Sequence, residues 1–159
     1  MSLLAKAIAI AANAHQTHAP DKGGAPYVLH PLRMMFQLES EAERIVAVLH
    51  DVIEDHGDIW SFQRLADEGF PPDILEALQG VTKFHEEEDY GAFIRRAAIN
   101  PVSRRVKLAD LEDNMNLLRL QALSDSDVLR LRKYHASWQF LRAVDAGDGG
   151  VALTLSNDF

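Results

Sequence analysis

Apolar side chains recur at spacings of three and four residues along most of the chain, which is the pattern of helices that bury one face. Residues 3–18 are rich in alanine, the residue that most favours a helix, and a loop of Pro, Gly and Asp follows them. Periodicity and cap residues predict further helices at 31–38, 41–55, 59–68, 72–80, 89–99, 101–120 and 124–145. Since neither an alternation of strands with helices nor a long repeat is visible, the predicted fold class is all-α, a compact helical bundle.

Two sequence patterns mark helix starts, and one change of pattern marks the end of the bundle. Ser40 with Glu43 and Ser124 with Asp127 are capping boxes, in which each side chain bonds the backbone N–H of the other residue. After residue 146, glycines are followed by a short run that favours β-structure. We therefore expect a domain at 1–146 and a tail at 147–159, which forms an arm or a strand.

The helix predicted at 41–55 has two faces of opposite character. Five apolar side chains share an arc of roughly 120° and are expected in the core: Ile45, Val46, Leu49, Val52 and Ile53. The opposite side holds three carboxylates and one imidazole without a Lys or Arg among them: His50, Asp51, Glu54 and Asp55. Solvent exposure is the simpler interpretation of a polar face. The alternative is a divalent cation, because crowded carboxylates repel one another unless a cation lies between them.

Two further residues are candidate ligands from other helices. His30 stands at a boundary between loop and helix that Pro31 makes rigid. Asp110 shares one helix face with Lys107 and Asn114. For Asp110 alone, a salt bridge to Lys107 is the more common outcome than a metal bond.

Composition bounds the chemistry of the chain. Its 159 residues are 47% hydrophobic and 25% charged, as in one soluble globular domain. Cysteine is absent, so any metal must be bound by His and carboxylates. The net charge of −8 argues against nucleic-acid binding, which relies on positive charge. Neither a leader pattern nor an apolar run of roughly 20 residues is visible, so we expect a soluble, cytoplasmic protein without membrane contact.

Other residues have structural interpretations. His15 and His18 lie about one helical turn apart near the end of the first predicted helix and are expected to be polar helix-end residues rather than ligands. Met34, Met35 and Phe36 are expected in the core.

Four motifs in order carry a resemblance to a known family: AHQTHAPDKGGAPYVLHPL, AVLHDVIEDH, VTK and VKLADLEDNM. Over residues 3–145 the chain resembles the HD-domain hydrolases of the RelA/SpoT type, most of all the stand-alone small alarmone hydrolases that are related to metazoan SpoT homologues. The resemblance implies an HD-type helical domain that hydrolyses the 3′-diphosphate of ppGpp and pppGpp. The products would be GDP or GTP and pyrophosphate.

The resemblance also implies roles for individual residues. The metal ligands would be His30, His50, Asp51 and Asp110. Two imidazoles and two carboxylates suit Mn²⁺, the usual metal of the family, and also admit Fe, Co, Ni or Zn. Glu54 and Asp55 would assist the attacking water. The residues expected to contact the nucleotide or its phosphates are Lys22, Lys83, Asn114, Arg130 and Tyr134.

One position departs from the family pattern. Where the family loop usually reads Arg-Lys-x-Gly, this chain has Asp21 before Lys22. The resemblance implies that the arginine stacks on the guanine base, which an aspartate cannot do. The alternatives are therefore an HD-type phosphohydrolase for another nucleotide or phosphoester, and a catalytically silent module that binds a nucleotide or a protein. The sequence leaves open whether the chain forms a homo-oligomer.

Overall fold

A computed structural model describes residues 1–155, and this part of the chain is all-helical, as the sequence predicts for an HD-type domain. The α-helices are α1 Leu3–Ala14, α2 Leu29–Gln37, α3 Glu41–Leu49, α4 Val52–Asp55, α5 Phe62–Asp67, α6 Pro72–Val81, α7 Tyr90–Ile99, α8 Pro101–Asn114, α9 Asp125–Asp145 and α10 Gly149–Leu155. Two short 3₁₀ turns, His15–Thr17 and Leu117–Arg119, follow α1 and α8.

The helix starts follow from local chemistry. Both predicted capping boxes are confirmed: Ser40 accepts from the backbone N–H of Glu43, and Ser124 accepts from that of Asp127. In each box the acidic side chain accepts in return from the backbone of the serine. A cap of this kind stabilises a helix by about 1 kcal/mol, so α3 and α9 begin where the sequence places them.

Two apolar clusters share α8 as a common wall. The larger cluster lies among α1, α2, α3, α6 and one face of α8, with Met34, Ile45 and Val106 among its fully buried side chains. The smaller cluster joins α7, α9 and α10 to the other face of α8 through residues such as Ile94 and Leu141. Because α8 is packed on both sides, a polar side chain of this helix can be held in a fixed position inside the protein.

The helix predicted at 41–55 is interrupted. α3 ends at Leu49, and α4 begins at Val52 after His50 and Asp51. Ile45, Val46, Leu49 and Val52 are buried as predicted, but His50, on the predicted polar face, is buried as well. A wheel of constant 100° steps does not describe a chain that leaves the helix for two residues, so solvent exposure, the simpler of the two interpretations of this face, does not hold for His50.

The tail also differs from the prediction. Residues 149–155 form α10, and its Ala152 is buried against the smaller cluster. Asp148 organises the first turn, since its side chain accepts from the N–H of Val151. Packing thus outweighs the β-preference of this short run. Residues 156–159, the rest of the tail, lie outside the described residues.

One predicted core residue is exposed. Met34 and Met35 are buried, whereas Phe36 is 79% exposed. Successive residues of a helix point 100° apart, so three in a row cannot all face one core.

Within residues 1–155, every helix is too short or too polar to cross a membrane.

Candidate metal centre

The four side chains predicted as metal ligands converge from three segments of the chain. His30 lies in the first turn of α2, His50 and Asp51 lie between α3 and α4, and Asp110 lies on α8. Nε2 of His50 is 2.9 Å from Oδ2 of Asp51 and 4.0 Å from Oδ1 of Asp110. Nε2 of His30 is 3.3 Å from the same Asp110 oxygen. Ligand atoms of His30, His50 and Asp51 all lie within 4.8 Å of one another, close enough for one metal ion.

The outer ring nitrogens fix how the two imidazoles face this cluster. Nδ1 of His50 is 2.8 Å from the carbonyl oxygen of Ala47. A carbonyl only accepts, so this nitrogen carries the proton and Nε2 of the neutral ring offers its lone pair inward. Nδ1 of His30 is 2.7 Å from Oδ2 of Asp113. Metal-bound histidines commonly have such an outer partner, and the donor set therefore fits a divalent ion.

The two oxygens of Asp110 have separate partners. Oδ2 accepts from the ammonium of Lys107 at 2.7 Å, as the simple salt-bridge interpretation expects. Oδ1 faces His30 and accepts from the amide of Asn114 at 2.6 Å. The carboxylate is thus held in position by Lys107 while one oxygen stays directed toward the cluster.

The electrostatics of the cluster favour positive charge. Burial opposes protonation of His30, but its hydrogen bonds to Asp110 and Asp113 raise its pKa to about 9. Burial also disfavours the charged form of Asp51, yet the neighbouring His50 holds the pKa of Asp51 well below its usual range. The carboxylates therefore favour a positive charge beside them. A divalent ion supplies the same charge at one point.

Glu54 and Asp55 follow the cluster on α4. A carboxylate oxygen of Glu54 accepts from the backbone N–H of Lys83 at 2.9 Å. Partial burial, with the charges of Asp51 and Glu54, raises the pKa of Asp55 to about 7. Burial likewise raises the pKa of Glu54. Both groups can therefore exchange protons nearer to neutral pH than an ordinary carboxyl group.

A cavity of about 420 Å³ opens beside the metal cluster. His30, Asp51 and Asp110 form part of its wall, so a molecule in the cavity can reach these candidate metal ligands. Four residues predicted to contact the nucleotide also line it: Lys22, Asn114, Arg130 and Tyr134. The structure does not bring Lys83 to this wall, because its ammonium donates instead to the carbonyl oxygen of Glu86 at 2.7 Å.

Acidic residues hold the cations of the cavity wall in place. Asp127 pairs with Lys22 at 3.1 Å and with Arg130 at 2.8 Å through the same oxygen. Asp21 accepts from the backbone of Gly23 and Ala25, which shapes its loop. Its second oxygen pairs with Arg119 at 2.8 Å, and the side chain of Arg119 lines the cavity.

Sequence reasoning missed Asp113 and Tyr27. Asp113 is buried and bonds Arg33 and Arg119 as well as His30. The hydroxyl of Tyr27 donates a short hydrogen bond to Asp51. Both contacts join residues that are distant in sequence, 24 positions for Tyr27 with Asp51 and 83 for Asp113 with His30, so no local pattern indicated them.

A second group of imidazoles lies next to the first. His15 is buried, and ligand atoms of His15, His18 and His56 all lie within 4.8 Å of one another. Burial lowers the pKa of His15 to about 4, so this ring is neutral. His15 and His18 do lie at the ends of α1 and of the 3₁₀ turn, as expected, but the sequence did not predict that His15 is buried against the other two rings.

Fold and site together define the class: an all-helical protein with a buried His–Asp cluster that can hold a metal ion. Two curated relatives are guanosine-3′,5′-bis(diphosphate) 3′-pyrophosphohydrolases. The chain is 32% identical over 130 residues to that of Borreliella burgdorferi, an alignment that covers 71% of the chain and 18% of the relative. It is 31% identical over 108 residues to that of Aquifex aeolicus, with 61% of the chain and 15% of the relative covered.

These relatives confirm the resemblance found in the sequence, and the chain is a relative of the HD-domain hydrolases of the RelA/SpoT type. No family model matches the chain. The chain spans less than a fifth of the length of the curated relatives that it matches.

Proposed function

We propose that the chain is a metal-dependent hydrolase that removes the 3′-diphosphate of ppGpp and pppGpp, yielding GDP or GTP and pyrophosphate. The observation that carries the proposal is the convergence of His30, His50, Asp51 and Asp110, three of which form part of the wall of a cavity with cationic side chains. The names of the two relatives support the substrate. We assign the activity to residues 1–146, with Mn²⁺ as the metal.

The metal would be held by Nε2 of the two histidines and by one oxygen of each aspartate. When bound, such an ion lowers the pKa of water from 15.7 toward about 7 and polarises a phosphoryl oxygen. Asp113 and the carbonyl oxygen of Ala47 keep the imidazole rings oriented, so the ligand atoms need little rearrangement on metal binding.

Glu54 and Asp55 would accept the proton of the attacking water. The pKa of Asp55, raised to about 7 by burial and by the charges of Asp51 and Glu54, suits a group that accepts a proton near neutral pH. Glu54 is held by the N–H of Lys83, which limits its movement. General-base assistance of this kind contributes about 10²–10⁴-fold to a rate.

The phosphates would lie against Lys22, Arg119 and Arg130. These three cations line the cavity, whereas the chain as a whole carries a charge of −8 and repels a polyanion at long range. Binding therefore depends on short-range pairing, and we expect affinity to fall as salt is added. Asn114 and Tyr134 line the same wall and would contact the sugar or phosphates.

The test is a screen of the Mn²⁺-loaded protein against ppGpp, pppGpp, their adenine analogues and simple phosphodiesters, with products separated by chromatography. We expect pyrophosphate and GDP or GTP from the guanine substrates. Asp51→Asn should lose both metal and hydrolysis, while Glu54→Gln should keep the metal and lose about 10²-fold in rate. Asp73→Asn, an exposed carboxylate at the start of α6, is the matched control. Full metal content and activity in Asp51→Asn would refute the assignment.

A second candidate is hydrolysis of a different nucleotide by the same centre. Asp21 favours it, since the family's base-stacking arginine is absent from that position. Cleavage of the adenine analogues with no cleavage of ppGpp would establish this candidate and overturn guanine specificity alone.

A further inference from the structure

We infer that His15, His18 and His56 form a second metal site, for a divalent ion of the zinc class, next to the first. His15 begins the 3₁₀ turn after α1, His18 ends that turn, and His56 follows α4. Two segments that are far apart in the sequence thus place three imidazoles together. The ligand atoms lie within 4.8 Å of one another.

The spacing fits coordination by nitrogen. Nδ1 of His15 and Nε2 of His56 are 3.3 Å apart. Zinc–nitrogen bonds of about 2.0–2.1 Å at a tetrahedral angle place two ligand nitrogens about 3.3 Å apart. The observed pair therefore matches the edge of a tetrahedral zinc site. The third ring, His18, lies 5.5 Å from His15 and 6.0 Å from His56 between ring centroids.

The protein's own contacts leave the cluster incomplete. Nε2 of His15, the ring nitrogen that is not in contact with His56, is buried and has no hydrogen-bond partner within the part of the chain that the structure describes. No contact there holds the ring's proton on Nδ1, so the lone pair of Nδ1 is available to a metal. Nδ1 of His18 is 3.7 Å from Oδ2 of Asp55, which is too long for a hydrogen bond. Three imidazoles without a thiolate suit Zn²⁺, Ni²⁺ or Cu²⁺, and three protein ligands leave one position of a tetrahedron for water.

The site is separate from the first metal centre, although one residue joins them. Tyr27 stacks on His18 with ring centroids 3.9 Å apart, and its hydroxyl donates to Asp51. A metal on the three imidazoles would tie the end of α1 to the end of α4. It would thereby fix the start of the loop that carries Asp21 and Lys22 to the cavity.

The test is a count of bound zinc per chain. The full chain, stripped with a chelator, is dialysed against Zn²⁺, and the bound metal is measured by mass spectrometry. We expect two ions in the wild type, one in His56→Gln, one in Asp110→Asn and none when both changes are combined. His85→Gln, which removes an exposed imidazole outside both clusters, is the matched control and should bind two.

Cobalt gives a second readout that does not depend on counting. Tetrahedral Co²⁺ absorbs strongly in the visible range. We expect this band in Asp110→Asn and its loss when His56→Gln is added to Asp110→Asn. His18→Gln tests the same site from the other segment, and circular dichroism checks the fold of each variant. Equal zinc content in His56→Gln, His18→Gln and the wild type would overturn the second site. Loss of the ion in Asp110→Asn alone would leave the first centre as the only one.

Discussion

Asp113 offers the sharpest test of how the proposed metal centre is built. Its carboxylate, 4% exposed, bonds His30 at 2.7 Å and Arg33 at 2.7 and 2.9 Å through two nitrogens. It also accepts from Arg119 at 3.1 Å. Asp113→Asn keeps the shape of the side chain but removes its charge. One of its two oxygens is replaced by an NH2 group, which donates hydrogen bonds. This group then faces another donor, an N–H of His30 or of an arginine.

The magnitude follows from the burial of these partners. Removing one member of a buried ion pair costs about 3–5 kcal/mol. The side chains of Arg33 and Arg119 are 31% and 25% exposed, so solvent offsets part of the loss. We therefore expect Asp113→Asn to lower the free energy of unfolding of the metal-free protein by about 2–4 kcal/mol. Since His30 also loses its outer partner, Mn²⁺ affinity should fall by about 10–100-fold.

Urea unfolding of metal-free protein and calorimetric titration with Mn²⁺ measure the two effects separately. Glu112→Gln, one residue away on an exposed position of α8, is the control. Its amide can still accept from the indole of Trp138, so stability should stay within about 0.5 kcal/mol of the wild type. Wild-type stability and Mn²⁺ affinity in Asp113→Asn would refute the reasoning.

Three further predictions concern pH, substrate binding and stability. The hydrolysis rate should rise with pH to a midpoint no higher than about 7. Burial and the charges of Asp51 and Glu54 raise the pKa of Asp55 to about 7, and a bound cation lowers it from there. Asp55→Asn should abolish this rise in a pH–rate profile, and an unchanged profile would exclude Asp55 as the base. Arg119→Ala should raise KM for ppGpp about tenfold with little effect on kcat, because the cavity wall loses one cation. Steady-state kinetics compare this variant with Arg132→Ala, a change at an exposed position of α9. Equal KM values in the two variants would exclude Arg119 from the binding surface. The hydrogen bond from Arg96 holds the pKa of Glu88 below its usual value. Glu88→Gln should therefore lower the free energy of unfolding by about 1–2 kcal/mol above pH ~4.5, and this difference should shrink as pH falls. A pH-independent difference in denaturant unfolding would contradict this.

The helices could be predicted from sequence because their signals are local. A capping box such as Ser40 with Glu43 lies within four residues, and it begins α3 as expected. The break at His50–Asp51 could not be predicted in the same way, because nothing within one turn of the chain interrupts the apolar pattern. Packing decides this break, and packing depends on residues far away in the sequence.

The same distinction separates the parts of the site. The predicted ligands belong to short motifs, and the structure brings all of them together. Their supporting contacts join residues that are distant in sequence: Asp113 bonds His30 across 83 positions, and His15 meets His56 across 41. Spacing along one helix cannot indicate such pairs, so Asp113 and the three-imidazole group appear only in three dimensions.

Asp21 illustrates why a charge read from sequence can mislead. Taken alone, an aspartate in a loop before the cavity adds negative charge where a polyphosphate would bind. In the structure, one oxygen of Asp21 is used by backbone N–H groups and the other pairs with Arg119 and Arg33. The carboxylate is therefore neutralised, and it fixes a guanidinium group on the cavity wall. Arg119, in the 3₁₀ turn after α8, lines the cavity beside Asp21, the loop position at which the family usually has an arginine. The cavity therefore keeps a planar cation although the loop arginine is absent.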